Sequence, residues 1–558
     1  MINPTILKKI FFVTLFFCCL VSFSQSKNIQ ILSTQQITAD ESKYPGATLL
    51  IGNVKMQHEG ATLDCKRALL YKDKNLFKAF GEVVIEQGDS IIQYSDFATY
   101  NGNTKKAKSW GNVEINDKEM KLKTDTLHFD RVQQLLYYPT TGIIRDKKNT
   151  LKSTKGTYFL RDKKFTAKSK VSVVNTENHL KSEHLDYYTN TNLAYLYGPS
   201  TVTHLKDSTK IYSERGFYNT NTDVSYFVKN ATLFLKDRTV TADSLYYDKR
   251  KGFASATNNI KVVDTVQNMV AKGNYAELFE HKDSLFIIDR AVAISVFEKD
   301  SMHIAGDKIL LTGKPEKRIV RIFNNVKIFK SDLQGKCDSI HTSQETGITR
   351  MFKNPILWSN NSQITGDSIQ LISNTTTNKL DSLKVLQNAF MIQKDSLAED
   401  RYNQIKGRNI YGKFKDGDLH TMLVKGNAES LYYNNDQKTQ KLQTITKEIA
   451  SDIEFILNDN EIEQTKYYNK SEGKTFPPSE FPSEDSFFKG FIWRSDEQPK
   501  KVEDIFTKNK KSTPTPSLQK NTPKVVKKAR KRLSKENKKR QKLSKPNLTK
   551  VTQFLNEK

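Results

Sequence analysis

The sequence predicts an all-β chain in which long antiparallel strands, each folded into a V, stack edge to edge. Three observations predict it. A short motif recurs at GNVKM (Gly52–Met56), GEVVI (Gly81–Ile85), GNVEI (Gly111–Ile115), GIIRD (Gly142–Asp146) and SKVSV (Ser169–Val173). Its third residues, Val54, Val83, Val113, Ile144 and Val171, lie 29, 30, 31 and 27 residues apart. A fixed period of this size marks a stack of repeats in which each unit touches only its neighbours. Next, the alternation within a repeat has period 2: Ala107, Ser109, Gly111, Val113 and Ile115 share one face, and Lys106, Lys108, Asn112 and Glu114 the other. Finally, the return strand changes phase once. Leu122 and Thr124 share one face, whereas Asp125, Leu127 and Phe129 share the other. A slip at the same place in every repeat predicts a bulge or corner, and the Gly in the facing strand predicts a bend.

The chain begins with Lys8 and Lys9, an apolar run Ile10–Val21, and small residues at Ser22 and Ser24. This is the pattern of a cleaved secretory signal over residues 1–24, and the run is short for a membrane span of ~20 residues. Phe17 stands where lipidation of Cys18 would want a small residue, and Cys18 and Cys19 leave with the signal. Cys65 and Cys337 remain, on the order of 85 Å apart if each repeat adds two strands at ~4.8 Å. No disulfide spans that distance.

Residues 25–435 hold about 13 repeats of ~30 residues. Their second halves keep a small residue, an acid and two large apolar positions, as in Ser182–Tyr187, Ala242–Tyr247, Gly306–Ile309, Cys337–Ile340 and Gly366–Ile369. The linkers carry turn residues, such as Asn101-Gly102-Asn103 and Asn190–Asn192. Shared phase turns Val54, Met56, Val83, Ile85, Val113, Ile115, Leu127, Phe129, Val171, Val173, Leu185, Tyr187, Leu245 and Tyr247 toward one interior. In a V that does not close, these rows line a continuous apolar trough; in a closed sandwich they fill a core. Residues 436–500 contain an amphipathic-looking Ile445–Leu457, Pro477, Pro478 and Pro482, and the apolar Phe487–Trp493. They are expected to form a small cap over the last strand. Residues 501–558 hold 19 Lys/Arg against 4 Asp/Glu, a net of +15 out of +27 for the chain. So polar a segment is predicted to be disordered.

No catalytic motif emerges. Gly407–Lys413 has phosphate-loop spacing, but Phe414 replaces the required Ser/Thr, and the segment falls where a repeat strand is expected. There is no zinc-binding His pair flanking a Glu and no Gly-x-Ser-x-Gly elbow. His179 and His184 lie close without further ligands. The recurring Asp125, Asp243, Asp307, Asp338 and Asp367 are expected to cap their own bulges through backbone N–H groups rather than to bind cations. No cofactor, metal or enzymatic activity is expected.

The alternation of G-x-V-x-I with L-x-[SA]-D-x-L-x-Y, best at Gly111–Asp130 and Val240–Asp248, resembles the OstA-like family that includes the LptA bridge proteins of lipopolysaccharide transport. The resemblance covers about 30–433, and Phe488–Trp493 resembles a segment near the ends of long members. It implies an elongated antiparallel β-jellyroll, open at both ends, in the periplasm, with association with the outer membrane as a further expectation. It further implies that the interior residues above bind the acyl chains of lipopolysaccharide or a lipid A-type lipid. Other transport-chain proteins would join by edge-strand addition. The chain has more repeats than a short bridge protein and adds a Lys-rich tail. The export signal argues against nucleic acid as the tail's partner and leaves lipid phosphates of an anionic membrane surface, acidic glycans or the cargo's own head groups as candidates. An extracellular structural or adhesive solenoid with a filled core is the alternative reading.

Overall fold

The computed structural model describes residues 28–506, apart from 88–90, 117–119, 220, 237, 266–267, 297–299, 315–316, 378, 416–417, 437 and 459–460. The expected signal segment and nearly all of the Lys-rich tail lie outside the described residues. Among these residues there is no α-helix, and 34 strands pair into one antiparallel sheet. Six rungs of this ladder are broken at a corner into two strands each, so the 34 strands make 28 rungs. The first rung is Gln30–Ser33 with Gln36–Ala39; the last is Glu461–Tyr468 with Glu472–Phe476.

The corner is built from two left-handed residues facing one residue on the neighbouring strand. Trp110 pairs with Thr126 and Val113 with Thr124, so Gly111 and Asn112 together face Asp125. Their φ angles are 77° and 48°. Glycine and asparagine tolerate this region best, which is why the motif opens on Gly or an Asn-rich pair. The same pair recurs at Gly52-Asn53, Gly81-Glu82, Ser169-Lys170, Lys229-Asn230, Asn258-Asn259, Asp289-Arg290, Asn324-Asn325, Gln387-Asn388 and Gly426-Asn427. Gly142 departs from this expectation. Its rung turns at residues 139–141, between Leu135–Tyr138 and Gly142–Arg145. Gly142 instead clears space for Tyr138: a Cβ there would fall 2.5 Å from the ring, and one at Gly156 2.2 Å from it.

We call the two halves of the V the first arm (for example residues 106–110) and the second arm (113–116). Interior positions nearest the corner are small or branched and buried, as at Ala79, Val83, Ala167, Val171, Ala231 and Ala291. On the first arm's outer face, Tyr195, Phe217 and Tyr226 pair in register across successive rungs. Their ring centroids lie 6.1 and 6.0 Å apart, a spacing that supports the ladder laterally.

The expected cap over the last strand does not form. Leu442–Asn458, which contains the amphipathic-looking stretch, is a strand paired with Asp418–Asn435, and the ladder runs on to Phe476. The helix-like pattern arose because its corner shifts the alternation midway, mixing two faces of a strand. Residues 477–506 then turn back as a strap along the outer face of the second arm. Lys447 meets Asp485 at 2.7 Å. Gln404 donates to Ser486 O and accepts from Phe488 N. Gln363 donates to Ile492 O and accepts from Arg494 N. Gln498 donates to Gln334, Lys336 pairs with Glu497, and Lys327 donates to Asp504 O. Ile505 ends the strap among Val292, Ile294 and Ala305.

The sequence of the second arm's outer face matches this cover. Outside the strap it reads Thr201, Thr203, Thr239, Thr241 and Lys261. Under the strap it becomes Val292, Ile294, Trp358, Phe390, Ile392, Leu431 and Tyr433, all buried. Burying one such side chain contributes roughly 1.5–3 kcal/mol, so the strap is held by apolar contact, with the buried glutamines setting its register.

Candidate functional site

The interior of the V is largely apolar, made of successive clusters with buried Gln93, Ser109, Ser182 and Ser200 hydrogen-bonded in pairs among them. Val54, Met56 and Val83 belong to the first, with Ile85 half-buried against it. Val113, Ile115, Leu127, Val171 and Leu185 belong to the second, with Val173, Tyr187 and Leu245 half-buried against it. Leu245 also packs on a third cluster, which runs from Ala242 to Leu457. Phe129 and Tyr247 are half-buried nearer the first arm's tips, and burial pushes the Tyr247 hydroxyl up to about 12. The fourteen positions selected by phase therefore face one interior. Residues next to the corner are sealed. Those one step further out, such as Val173, Leu180, Val202, Ile211 and Val262, are partly exposed and form a lip.

Phase alone leaves the V open or closed. In the structure its arm tips touch. Ile29 N donates to Asn75 Oδ1 at 3.0 Å. Lys105 Nζ meets Glu59 Oε1 at 2.8 Å, and Arg131 donates to the carbonyls of Glu59 and His58 at 3.0 and 3.3 Å. Arg131 is steadied by Tyr100, whose hydroxyl also lies 2.8 Å from His58 Nδ1. Further along, Lys249 Nζ meets Glu177 Oε2 at 2.7 Å. In each contact a first-arm turn reaches a second-arm tip several rungs away, because the twist of a β-ladder carries the two arms out of step. The Lys105 hydrogen bond holds the Glu59 carboxyl below its usual range, and the Lys249 hydrogen bond does the same for Glu177.

Between these contacts lies an apolar cavity of about 50 Å³. Its floor is Tyr138, buried, with its hydroxyl 2.7 Å from Ser153 Oγ. Liquid water occupies about 30 Å³ per molecule, so this space is far short of an acyl chain. The walls pack on each other because apolar surface avoids water.

The remaining candidates resolve locally. The recurring acids do not cap their own bulges. The corner side chain of the following strand reaches them instead: Asn259 donates to Asp243, Asn325 to Asp307, Asn388 to Asp367 and Lys353 to Asp338. Asp125 accepts from Thr126. Among the described residues no three His, Cys, Asp or Glu side chains form a metal-sized group. Gly407–Lys413 lies within strand Tyr402–Lys415. His179 lies against Ser172 and His184 against Asp186, in separate hydrogen bonds. Cys65 and Cys337 are free and buried, which pushes their thiols up to about 11 and about 12.

Sequence reasoning missed the tip contacts and Tyr138. Charged residues in turns read as solvated, and nothing in the spacing announces a partner 46 or 72 residues away. The glycines at 142 and 156, off the corner phase, were the available signal for Tyr138.

Two family descriptions match the chain: an OstA-like protein over residues 26–183, and the LptA/(LptD N-terminal domain) LPS transport protein over residues 239–378. Together they cover somewhat over half of the 558 residues. Among solved structures the chain is similar to LptH, the LptA-homologous periplasmic component of the lipopolysaccharide transport device of Pseudomonas aeruginosa. The identity is 18%, over 19% of this chain and 74% of that one, with a TM-score of 0.17. No curated protein matches the chain.

Proposed function

The chain belongs to the OstA/LptA-like family, and on that premise we propose that it is a periplasmic carrier of lipopolysaccharide. It shields acyl chains in the apolar interior during transfer toward the outer membrane. The single observation that carries this reading is the interior surface itself. It runs through three clusters, interrupted only by small or paired polar groups such as Gln93 with Ser109 and Ser182 with Ser200, and its outer row of side chains is left partly exposed. The residues proposed to touch acyl chains are those fourteen, from Val54 to Tyr247. No catalytic step is proposed.

The two terminal rungs are proposed to be joints to other transport proteins. Gln30–Ala39 and Glu461–Phe476 pair on one side only among the described residues. Such edges accept an added strand. Leu32 and Ile37 are 49% and 60% exposed on the first, and Tyr467 and Tyr468 about 40% exposed on the last. Cross-linking from Gln35 should capture a partner protein; purely intrachain products would remove this role. The Lys-rich tail is proposed to tether the chain to an anionic membrane, at roughly 1 kcal/mol per basic residue near the surface. Loss of sedimentation with anionic vesicles on deleting residues 507–558 checks it.

Mass spectrometry of lipid bound to protein purified from its native host tests the carrier reading. Lipid A-type lipid in near-stoichiometric amount is expected. Protein that carries no lipid and takes none up favours a structural solenoid with a filled core.

A further inference from the structure

We propose that the tip contacts at Glu59 and Glu177 are gates worked by an anionic headgroup. A phosphate displaces the Glu59 carboxylate from Lys105 and the Glu177 carboxylate from Lys249 and takes Arg131 from the carbonyl oxygens of His58 and Glu59, and the freed arms admit the attached acyl chain sideways between them. The inference rests on the carrier reading and adds a place and a trigger of entry.

The two contacts share one construction. Arg131, 72 residues beyond Glu59, donates to its carbonyl oxygen, and Lys249, 72 residues beyond Glu177, pairs with its carboxylate, so the same stagger between arms recurs; the Glu59 carboxylate is paired with Lys105. In both, the first arm supplies the cation and the second arm the acceptor. Both are reachable from solvent: side-chain exposure is 38% and 21% for Lys105 and Glu59, and 47% and 59% for Lys249 and Glu177. Exposed pairs of this kind are weak. A phosphate carries nearly twice the charge of a carboxylate and three acceptor oxygens, and guanidinium binds it through two parallel hydrogen bonds. It therefore competes well for these cations. The contact between Ile29 N and Asn75 is neutral and has no such response.

Between the gates the lip is apolar. Ile91 and Met120 border it from the second arm, Tyr158 and Leu160 from the first, with Tyr138 beneath. The cavity of about 50 Å³ behind them does not hold a chain while the tips touch. On the N-terminal side the way is blocked by packed side chains, including Leu50, Val54, Ala68 and Ala79, none of them measurably exposed. An amphiphile reaching this cavity must pass the lip, and the lip widens only if the arms separate.

The test uses the chain from residue 25 onward, without Cys18 and Cys19, with spin labels at Thr176→Cys on a second-arm tip and Lys282→Cys on a first-arm turn. The native Cys65 and Cys337 are buried and leave the labels selective. Dodecyl phosphate, 1-dodecanol and inorganic phosphate are compared for displacement of an apolar dye and for the label-to-label distance. Dodecyl phosphate is expected to displace the dye and lengthen the distance, with dodecanol about tenfold weaker. Glu59→Gln with Glu177→Gln should lengthen the distance without ligand and raise dodecanol binding by up to about fivefold, the reach of two exposed pairs. Glu177→Lys combined with Lys249→Glu should restore the closed distance that either reversal alone opens, which separates gating from misfolding. Dye displacement by dodecyl phosphate at an unchanged distance overturns the gate and leaves the carrier reading standing. Opening by inorganic phosphate alone, at the same concentration, overturns the coupling of headgroup to chain. Failure of every chain to displace dye, in the opened variants too, removes the carrier reading and the gate with it.

Discussion

Val171→Asp offers a quantitative check on the interior. Val171 is 2% exposed, pairs across the rung with Ser182 and packs in the same cluster as Leu185. Removing the valine loses roughly 1.5 kcal/mol of burial. The carboxylate then has no cation on the interior face, so burial raises its folded pKa, by up to about 3–5 units. With an unfolded value of about 3.9, each pH unit above it costs about 1.4 kcal/mol until the folded pKa is reached. The sign follows: well below pH 3.9 both states are protonated and the deficit is the packing loss alone, and at pH 4, where the unfolded carboxyl is about half ionised, it exceeds that by only about 0.4 kcal/mol. It grows as pH rises and reaches about 5–6 kcal/mol at pH 7. Stacked repeats unfold in parts, so the assay is hydrogen exchange of the rungs around Lys164–Val174 at pH 4 and pH 7, each corrected for intrinsic rates. Val171→Asn is the control and should show a deficit without pH dependence. A deficit for Val171→Asp that is under about 1 kcal/mol, or equal at both pH values, would refute the burial argument.

Other outcomes follow from the same geometry. Gly156→Ala drives a methyl group into the Tyr138 ring and should destabilise by about 1–3 kcal/mol; adding Tyr138→Leu should recover part of this in thermal melts. Gln363→Leu removes the hydrogen bonds to Ile492 O, Arg494 N and Trp358 Nε1. It should release the strap at a cost of about 2–4 kcal/mol, seen as earlier protease cleavage within residues 477–506. Because burial raises both thiols to about 11 and about 12, Cys65 and Cys337 should resist thiol reagents at pH 8 and react once urea unfolds the chain. Labelling of native protein at pH 8 would contradict their burial.

Local patterning along the chain was enough to establish the ladder. Alternation, the left-handed Gly or Asn pairs and the facing acid are all set within about 30 residues, because strand pairing here joins only sequence neighbours. The interior residues were legible for the same reason: phase relative to the corner decides which way a side chain points. The pattern misled where one residue type served another purpose. Gly142 carries the motif's Gly yet makes room for Tyr138, and Ile445–Leu457 looked amphipathic because a corner interrupts its alternation.

The tertiary structure alone decided how the ladder closes on itself. Glu59 and Glu177 read as ordinary turn acids, and only the accumulated twist of several rungs brings them to Arg131 and Lys249. The same holds for the strap. Apolar residues at Val292, Trp358, Phe390 and Leu431 were visible on a face that should have been wet, but their cover comes from residues 477–506, up to some 200 positions further along. Twist per rung and the course of a non-repeating segment are properties of the packed whole. Each depends on many small angles that no single repeat encodes, whereas the corner and the strand face depend on two or three adjacent residues.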